Sequence, residues 1–111
     1  PSEAAVAAVN EVRSRAGLGS LPTSYTASAD AFLDALLVER GHEFWFEGLR
    51  KIDLIRFNKF AQNNKAIKGK VPTHQYIPLP NYAIDEATEI GKELVQTYAR
   101  EGWEADLAAA K

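Results

Sequence analysis

Glu39-Arg40-Gly41-His42-Glu43-Phe44-Trp45-Phe46-Glu47-Gly48-Leu49-Arg50-Lys51-Ile52-Asp53-Leu54-Ile55-Arg56-Phe57 is the stretch that decides how this chain folds. Glu39, Glu43 and Glu47 recur every four residues, which places them on one helix face. Arg50, Asp53 and Arg56 follow at a spacing of three, so opposite charges can pair along the surface. Three carboxylates on one stripe repel each other unless cations stand close, and Arg40, Arg50 and Arg56 are available. Phe44, Trp45, Phe46, Leu49, Ile52, Leu54, Ile55 and Phe57 are interleaved with these charges. No helix can turn all of those apolar groups inward and all of the charges outward. Some charges must therefore be partly buried, and a buried charge needs a partner. The expectation is a structural salt-bridge network of Glu39, Arg40, Glu43, Glu47, Arg50, Asp53 and Arg56 that fixes a bent helix pair. Breaking one member of a buried pair costs about 3–5 kcal/mol, so Arg50→Ala or Asp53→Ala should lower the melting temperature clearly. Gly41 costs a helix about 1 kcal/mol relative to alanine, which close approach of another backbone would offset.

Outward from this stretch, the apolar spacing predicts a helix over residues 28–46, a bend at Gly48 and a third helix over 49–62. Upstream, Val6, Val9 and Ala16 recur at helical spacing, which predicts a helix over 2–16. Ser2 is its N-cap, Glu3 lies in the first turn, Arg13 and Arg15 near the end, and Gly17 stops it. Residues 18–27 read as a loop. Downstream, 63–70 reads as a polar, lysine-containing loop. Tyr76-Ile77-Pro78-Leu79-Pro80 must be extended, because each proline pushes the residue before it out of the helical region. Residues 81–98 carry a helical period interrupted by Gly91, and 104–111 form an alanine-rich tail, a frayed helix or disordered. No repeat of fixed period is visible. The expected fold is all-α: a helical hairpin, a bent third helix, then the extended proline segment.

The chain of 111 residues is long enough for one small domain, with 46% apolar and 25% charged residues. A net charge of -2 gives nothing to draw it to a phosphate backbone, so no nucleic-acid partner is expected. There is no cysteine, which excludes disulfides and thiolate chemistry within these residues. No apolar run approaches the roughly 20 residues that span a bilayer. The opening Pro1-Ser2-Glu3 shows no signal peptide and reads as a fragment boundary or a processed end.

Sharper chemistry finds little support. Glu39 and His42 have the E-x-x-H spacing of di-metal bundles, but such sites need a second pair and more carboxylates. The other histidine, His74, falls on a loop, so neither metal nor cofactor is expected. A general acid at Glu43 or Glu47 lacks a second catalytic group beside it, and no catalytic residue is assigned. Trp45, in an apolar helix, reads as core. Trp103, after Gly102, is the more open and is the one candidate for stacking on a sugar ring. Lys59, Lys65, Lys68 and Lys70 read as a solvated basic loop.

The run Glu39-Arg40-x-x-Glu43-x-x-x-Glu47-Gly48-x-Arg50-x-x-Asp53-Leu54-x-Arg56-Phe57 resembles the E-R-x-x-E-L-x-x-E-G-x-R-x-x-D-L-x-R-W hallmark of SusD/RagB proteins. Val9-Asn10-Glu11-Val12-Arg13-Ser14-Arg15-Ala16-Gly17-Leu18 resembles that family's V-N-x-V-R-x-R-A-G-L helix end. Tyr76-Ile77-Pro78-Leu79-Pro80 resembles its P-I-P segment, and Val95-Gln96 through Gly102-Trp103 its closing L-x-Q-N-P-G-Y/W. The four motifs stand in the family's order. Departures are Gly41, Phe44 in place of leucine, Thr97 to Glu101 in place of Asn-Pro, and eight further residues at the end. The resemblance divides the chain into a family-like region, 1–103, and a tail, 104–111.

The resemblance implies the C-terminal part of a longer, tetratricopeptide-containing helical lipoprotein on the outer face of the outer membrane. It implies no enzymatic activity. It implies glycan or peptide binding in partnership with a TonB-dependent, SusC-like transporter, and membrane contact only through a lipid anchor outside this chain. The matched motifs look structural, so no ligand-binding residue is carried over. The alternative is a helical protein-interaction module without a ligand of its own.

Overall fold

The structure is a computed structural model that describes residues 1–111. It is all-α, with six helices and no strand: α1 Glu3–Arg15, α2 Ala29–Glu43, α3 Arg50–Arg56, α4 Phe60–Lys68, α5 Asn81–Glu89 and α6 Trp103–Ala110. The chain divides into two compact units, Pro1–Phe57 and Asn58–Lys111. No helix is long and apolar enough to cross a membrane.

In the first unit, α1 starts where the sequence predicts, with the Ser2 hydroxyl accepting from the Ala5 N–H. The Ser28 side chain caps α2 in the same way. Leu21, Phe32 and Ala35 are buried together, with Ala5, Val6, Val9 and Leu36 packed on them. The expected helical hairpin needs correcting. Early α1 packs on early α2, and late α1 on late α2, where Arg13 meets Glu39 and Arg15 meets Glu43. The two helices therefore run in the same direction. The connection must travel back along α1 to make this possible, and it does. Arg13 donates to the Gly19 carbonyl at 2.7 Å, and the Asn10 side chain accepts from the Leu21 N–H at 2.8 Å. Thr26 then lies beside Pro1, Glu3 and Val6. A one-turn 3-10 helix, Thr23–Tyr25, packs on α2.

The helix predicted over 28–46 stops at Glu43. Phe46 turns into the left-handed region at φ 65°, which is uncommon for an aromatic side chain. Trp45 and Phe46 are 73% and 92% exposed, their rings edge to face at 5.4 Å. Trp45 is thus not a core residue. It lies past the end of α2, where the helical period no longer assigns it a face.

The bent third helix is two helices. α3 ends at Arg56, and Asn58 adopts φ 54°, a conformation that asparagine tolerates better than most residues. The polar loop predicted over 63–70 is mostly the body of α4, which runs on to Lys68. In the second unit, α4 and α6 pack together around Ala61, Trp103 and Ala110, with Phe60, Val71 and Leu107 against them. Residues 104–110 are therefore part of a packed helix rather than a frayed tail. The helix predicted over 81–98 ends at Glu89. The Lys92 N–H reaches the Ala87 carbonyl and the Gly91 N–H the Thr88 carbonyl, a Schellman closure that needs φ 71° at Gly91.

Residues 77–80 form neither helix nor turn, and Pro80 is extended at φ -67°, ψ 142°, while Tyr76 lies in a bend. Leu79 carries the one backbone N–H within Pro78-Leu79-Pro80. The Gln96 side chain accepts from that N–H at 2.9 Å and donates to the Leu79 carbonyl at 2.7 Å. One amide side chain thus stands in for a paired strand.

Candidate functional site: two buried carboxylates

Two arginines of the first unit, Arg40 and Arg56, meet at Asp53, which is 2% exposed. Arg40 meets it with two bonds, Nε to Oδ2 at 2.8 Å and Nη2 to Oδ1 at 3.0 Å. This fork geometry is the strongest form of an ion pair. The Arg40 guanidinium also lies 4.8 Å from the centre of the Phe44 ring, so an aromatic at this position adds a cation–π contact. Arg56 approaches Asp53 at 3.8 Å from its exposed position one turn away. Both oxygens of Asp53 are thereby taken, one residue before the buried pair Leu54 and Ile55.

Glu39 and Glu43 find their cations on α1. Arg13 binds Glu39 with both side chains largely shielded, and Arg15 binds Glu43 at the surface. The hydrogen bond that Arg15 donates to Glu43, and then the charge of Glu43, raise the pKa of the Arg15 guanidinium above its ordinary value. Arg50 pairs with no carboxylate. It donates to the Leu37 carbonyl at 2.6 Å. That carbonyl lies one helical turn before Gly41, and a Cβ at Gly41 would stand 2.8 Å from the Arg50 Nη1. The close approach expected at Gly41 is thus made by a guanidinium, not a backbone. Glu47 is exposed in the turn after α2 and forms no ion pair.

The second unit holds its own buried carboxylate, Asp106, at 3% exposure. It accepts from the Ala61 N–H at 2.8 Å, the Gln62 N–H at 3.2 Å and the Gln62 side-chain amide at 3.2 Å. Those N–H groups belong to the first turn of α4, where no helical partner exists. Lys59 precedes that turn and supplies no side-chain cap. Asp106 therefore caps α4 from another helix. Trp103 is 7% exposed and its ring lies 6.5 Å from that of Phe60, so it presents no face for a sugar. His74 stacks on Tyr98 at 4.2 Å, and no group of three His, Cys, Asp or Glu side chains is placed to hold a metal ion.

Three contributors escape a reading of the sequence. Arg13 and Arg15 read only as helix-end cations, because their partners lie 26 and 28 residues away on a helix of unknown direction. Asp106 lies 45 residues from Ala61. Its one signal is indirect: a lysine stands where α4 needs an N-cap, so the acceptor must come from elsewhere.

The arrangement is one of closed charge pairs and helix caps on two short helical units. No curated protein and no solved structure matches the chain. The SusD family model matches residues 1–98, which takes in both the α1 motif and the full Glu39-to-Phe57 stretch. This chain belongs to the SusD family.

Proposed function

We propose that the chain is the C-terminal part of a nutrient-binding protein on the outer face of the outer membrane. There the protein works with a TonB-dependent, SusC-like transporter in the uptake of polysaccharide. In this reading the lipid anchor lies outside these residues, and the protein has no catalytic step of its own. The 111 residues serve as a brace: Arg40, Asp53 and Arg56, with Arg13–Glu39 and Arg15–Glu43, hold the helices in fixed register. Arg50 and Glu47 belong to the same segment without completing an ion pair. The observation that carries the reading is the family match over residues 1–98. The forked Arg40–Asp53 pair inside the family's own motif supports the bracing role. Affinity isolation of the whole protein from detergent-solubilised outer membranes tests it. A β-barrel transporter should come with it. Its absence, together with no heat of binding from any polysaccharide in calorimetry, would sink the reading.

A second reading, a helical interaction module without its own ligand, draws on Trp45 and Phe46. Two adjacent exposed aromatics on a left-handed turn suit a protein contact. Trp45→Ala with Phe46→Ala should then abolish co-isolation of a protein partner, and the unaltered chain should show no heat of binding with any polysaccharide.

A further inference from the structure

The charge of this chain is unevenly distributed. Residues 54–84 hold five of its thirteen cations, Arg56, Lys59, Lys65, Lys68 and Lys70, and not one of its fifteen carboxylates. Cations in the last turn of a helix sit well against its unpaired carbonyl oxygens, and that accounts for Lys65 and Lys68 in part. The other helices that end in arginine go further. Arg13 and Arg15 at the end of α1, Arg40 at the end of α2 and Arg56 at the end of α3 each meet a carboxylate. At the end of α4 there is none: Lys65, Lys68 and Lys70 are exposed and form no ion pair. Lys70 also lies beyond the Gly69 cap, outside the helix altogether. Lys65 and Lys68 stand on a held element, since α4 is capped by Asp106 at its start and packs on α6. Ile67, 73% exposed, lies among them.

We propose that this edge, Lys65, Lys68 and Lys70 with Ile67, is a docking surface for an acidic polysaccharide, one that bears carboxylate or sulfate groups. The inference rests on the uptake reading above and narrows its ligand class. Lysine ammonium groups on flexible stems accept oxyanions in many orientations, which suits a polymer of repeating charge. Binding to a membrane surface scales with buried apolar area as well as with charge. One isoleucine on a short helix offers little such area, which favours the polysaccharide over an anionic bilayer.

The test uses the full chain and three probes: dextran sulfate, neutral dextran, and vesicles of phosphatidylglycerol. Dextran sulfate should bind, more weakly as salt rises, and neutral dextran should not. Replacing the three lysines together (Lys65→Gln, Lys68→Gln, Lys70→Gln) should raise the Kd for dextran sulfate about tenfold, the lower end of the enrichment produced by charge-lined surfaces. Changing Lys92→Gln and Lys111→Gln, which removes two cations outside the stretch, should leave it within about twofold. All five side chains are exposed, so circular dichroism should show an unchanged fold. Equal binding by the triple variant, or binding to vesicles but not to dextran sulfate, would overturn the proposal. Loss of transporter co-isolation with lysine-dependent binding intact strikes the uptake reading and leaves the docking surface standing. The reverse pattern strikes the docking surface alone.

Discussion

Asp53 and Asp106 are both nearly inaccessible carboxylates, and the two units satisfy them by different means. In the first unit the partner of Asp53 is a formal charge, the forked guanidinium of Arg40, with Arg56 further off. In the second unit no cation bonds to Asp106, and the partners are backbone N–H groups at the start of α4 plus one side-chain amide. An ion pair fixes two side chains to each other. A carboxylate on a helix start fixes a side chain to the backbone and lets a short helix begin where its own sequence offers no cap. The first unit is thus held by charges visible as a motif. The second is held by groups that any residue possesses and no motif records.

Substitutions can separate the two modes. The largest effect is expected for Arg40→Ala, which leaves Asp53 buried with only the distant Arg56. About 3 kcal/mol should be lost, the low end for a broken buried pair, because Arg40 itself keeps part of its surface in water. Hydrogen exchange should show protection falling in α2 and α3, and unchanged protection there would remove the ion pair as the mainstay of this unit. Asp106→Ala should cost about 2 kcal/mol, the penalty of leaving buried N–H groups without an acceptor. Its exchange signature should centre on residues 61 and 62, and Asp106→Asn, which keeps one acceptor oxygen, should recover part of the loss. If Asn is no better than Ala, the cap is not what Asp106 supplies.

A smaller effect falls on Gly41. Gly41→Ala gains about 1 kcal/mol of helix propensity. It also displaces the Arg50 guanidinium from the Leu37 carbonyl, so the two terms should nearly cancel. In an Arg50→Ala background the same change should stabilise by about 1 kcal/mol. A double-mutant cycle by urea denaturation reads the difference, and identical values in both backgrounds would contradict the contact. The smallest effect is expected for Arg15→Gln at the exposed Glu43 pair, with Tm unchanged within about 1 °C. Because the folded state raises the Arg15 guanidinium above its already strongly basic unfolded value, its contribution is complete below that unfolded value and is lost only as the pH rises through the raised one. Scans between pH 6 and 9 should therefore show the same pH profile of Tm with and without Arg15.

Local signals carried much of this architecture into view. Ser2, Gly17 and the spacing of Val6 and Val9 mark α1, and the prolines at 78 and 80 mark the extended segment, because each acts on its immediate neighbours. The need for partners among Glu39, Glu43 and Asp53 was equally legible, but the identity of those partners was not. Arg13 and Arg15 become partners only once α1 and α2 run the same way, and direction is set by a connection whose apolar anchor, Leu21, looks like any loop leucine. The break at Asn58 was hidden by an apolar period that continues from Phe57 to Phe60. The two tryptophans exchanged places for a related reason. Periodicity assigns a face only inside a helix, and Trp45 stands just outside one, whereas Trp103 begins a helix whose packing partner is 43 residues upstream.

The shared direction of α1 and α2 has an electrostatic consequence. Peptide dipoles add along each helix, so two helices packed side by side in the same sense place both negative poles at one end, where an antiparallel pair would cancel them. That end carries Arg13, Arg15 and Arg40 in the last turns of the two helices. The arginines therefore answer two fields at once, that of the carboxylates and that of the aligned macrodipoles. Adding salt should weaken the exposed charges far more than the aligned backbone beneath them.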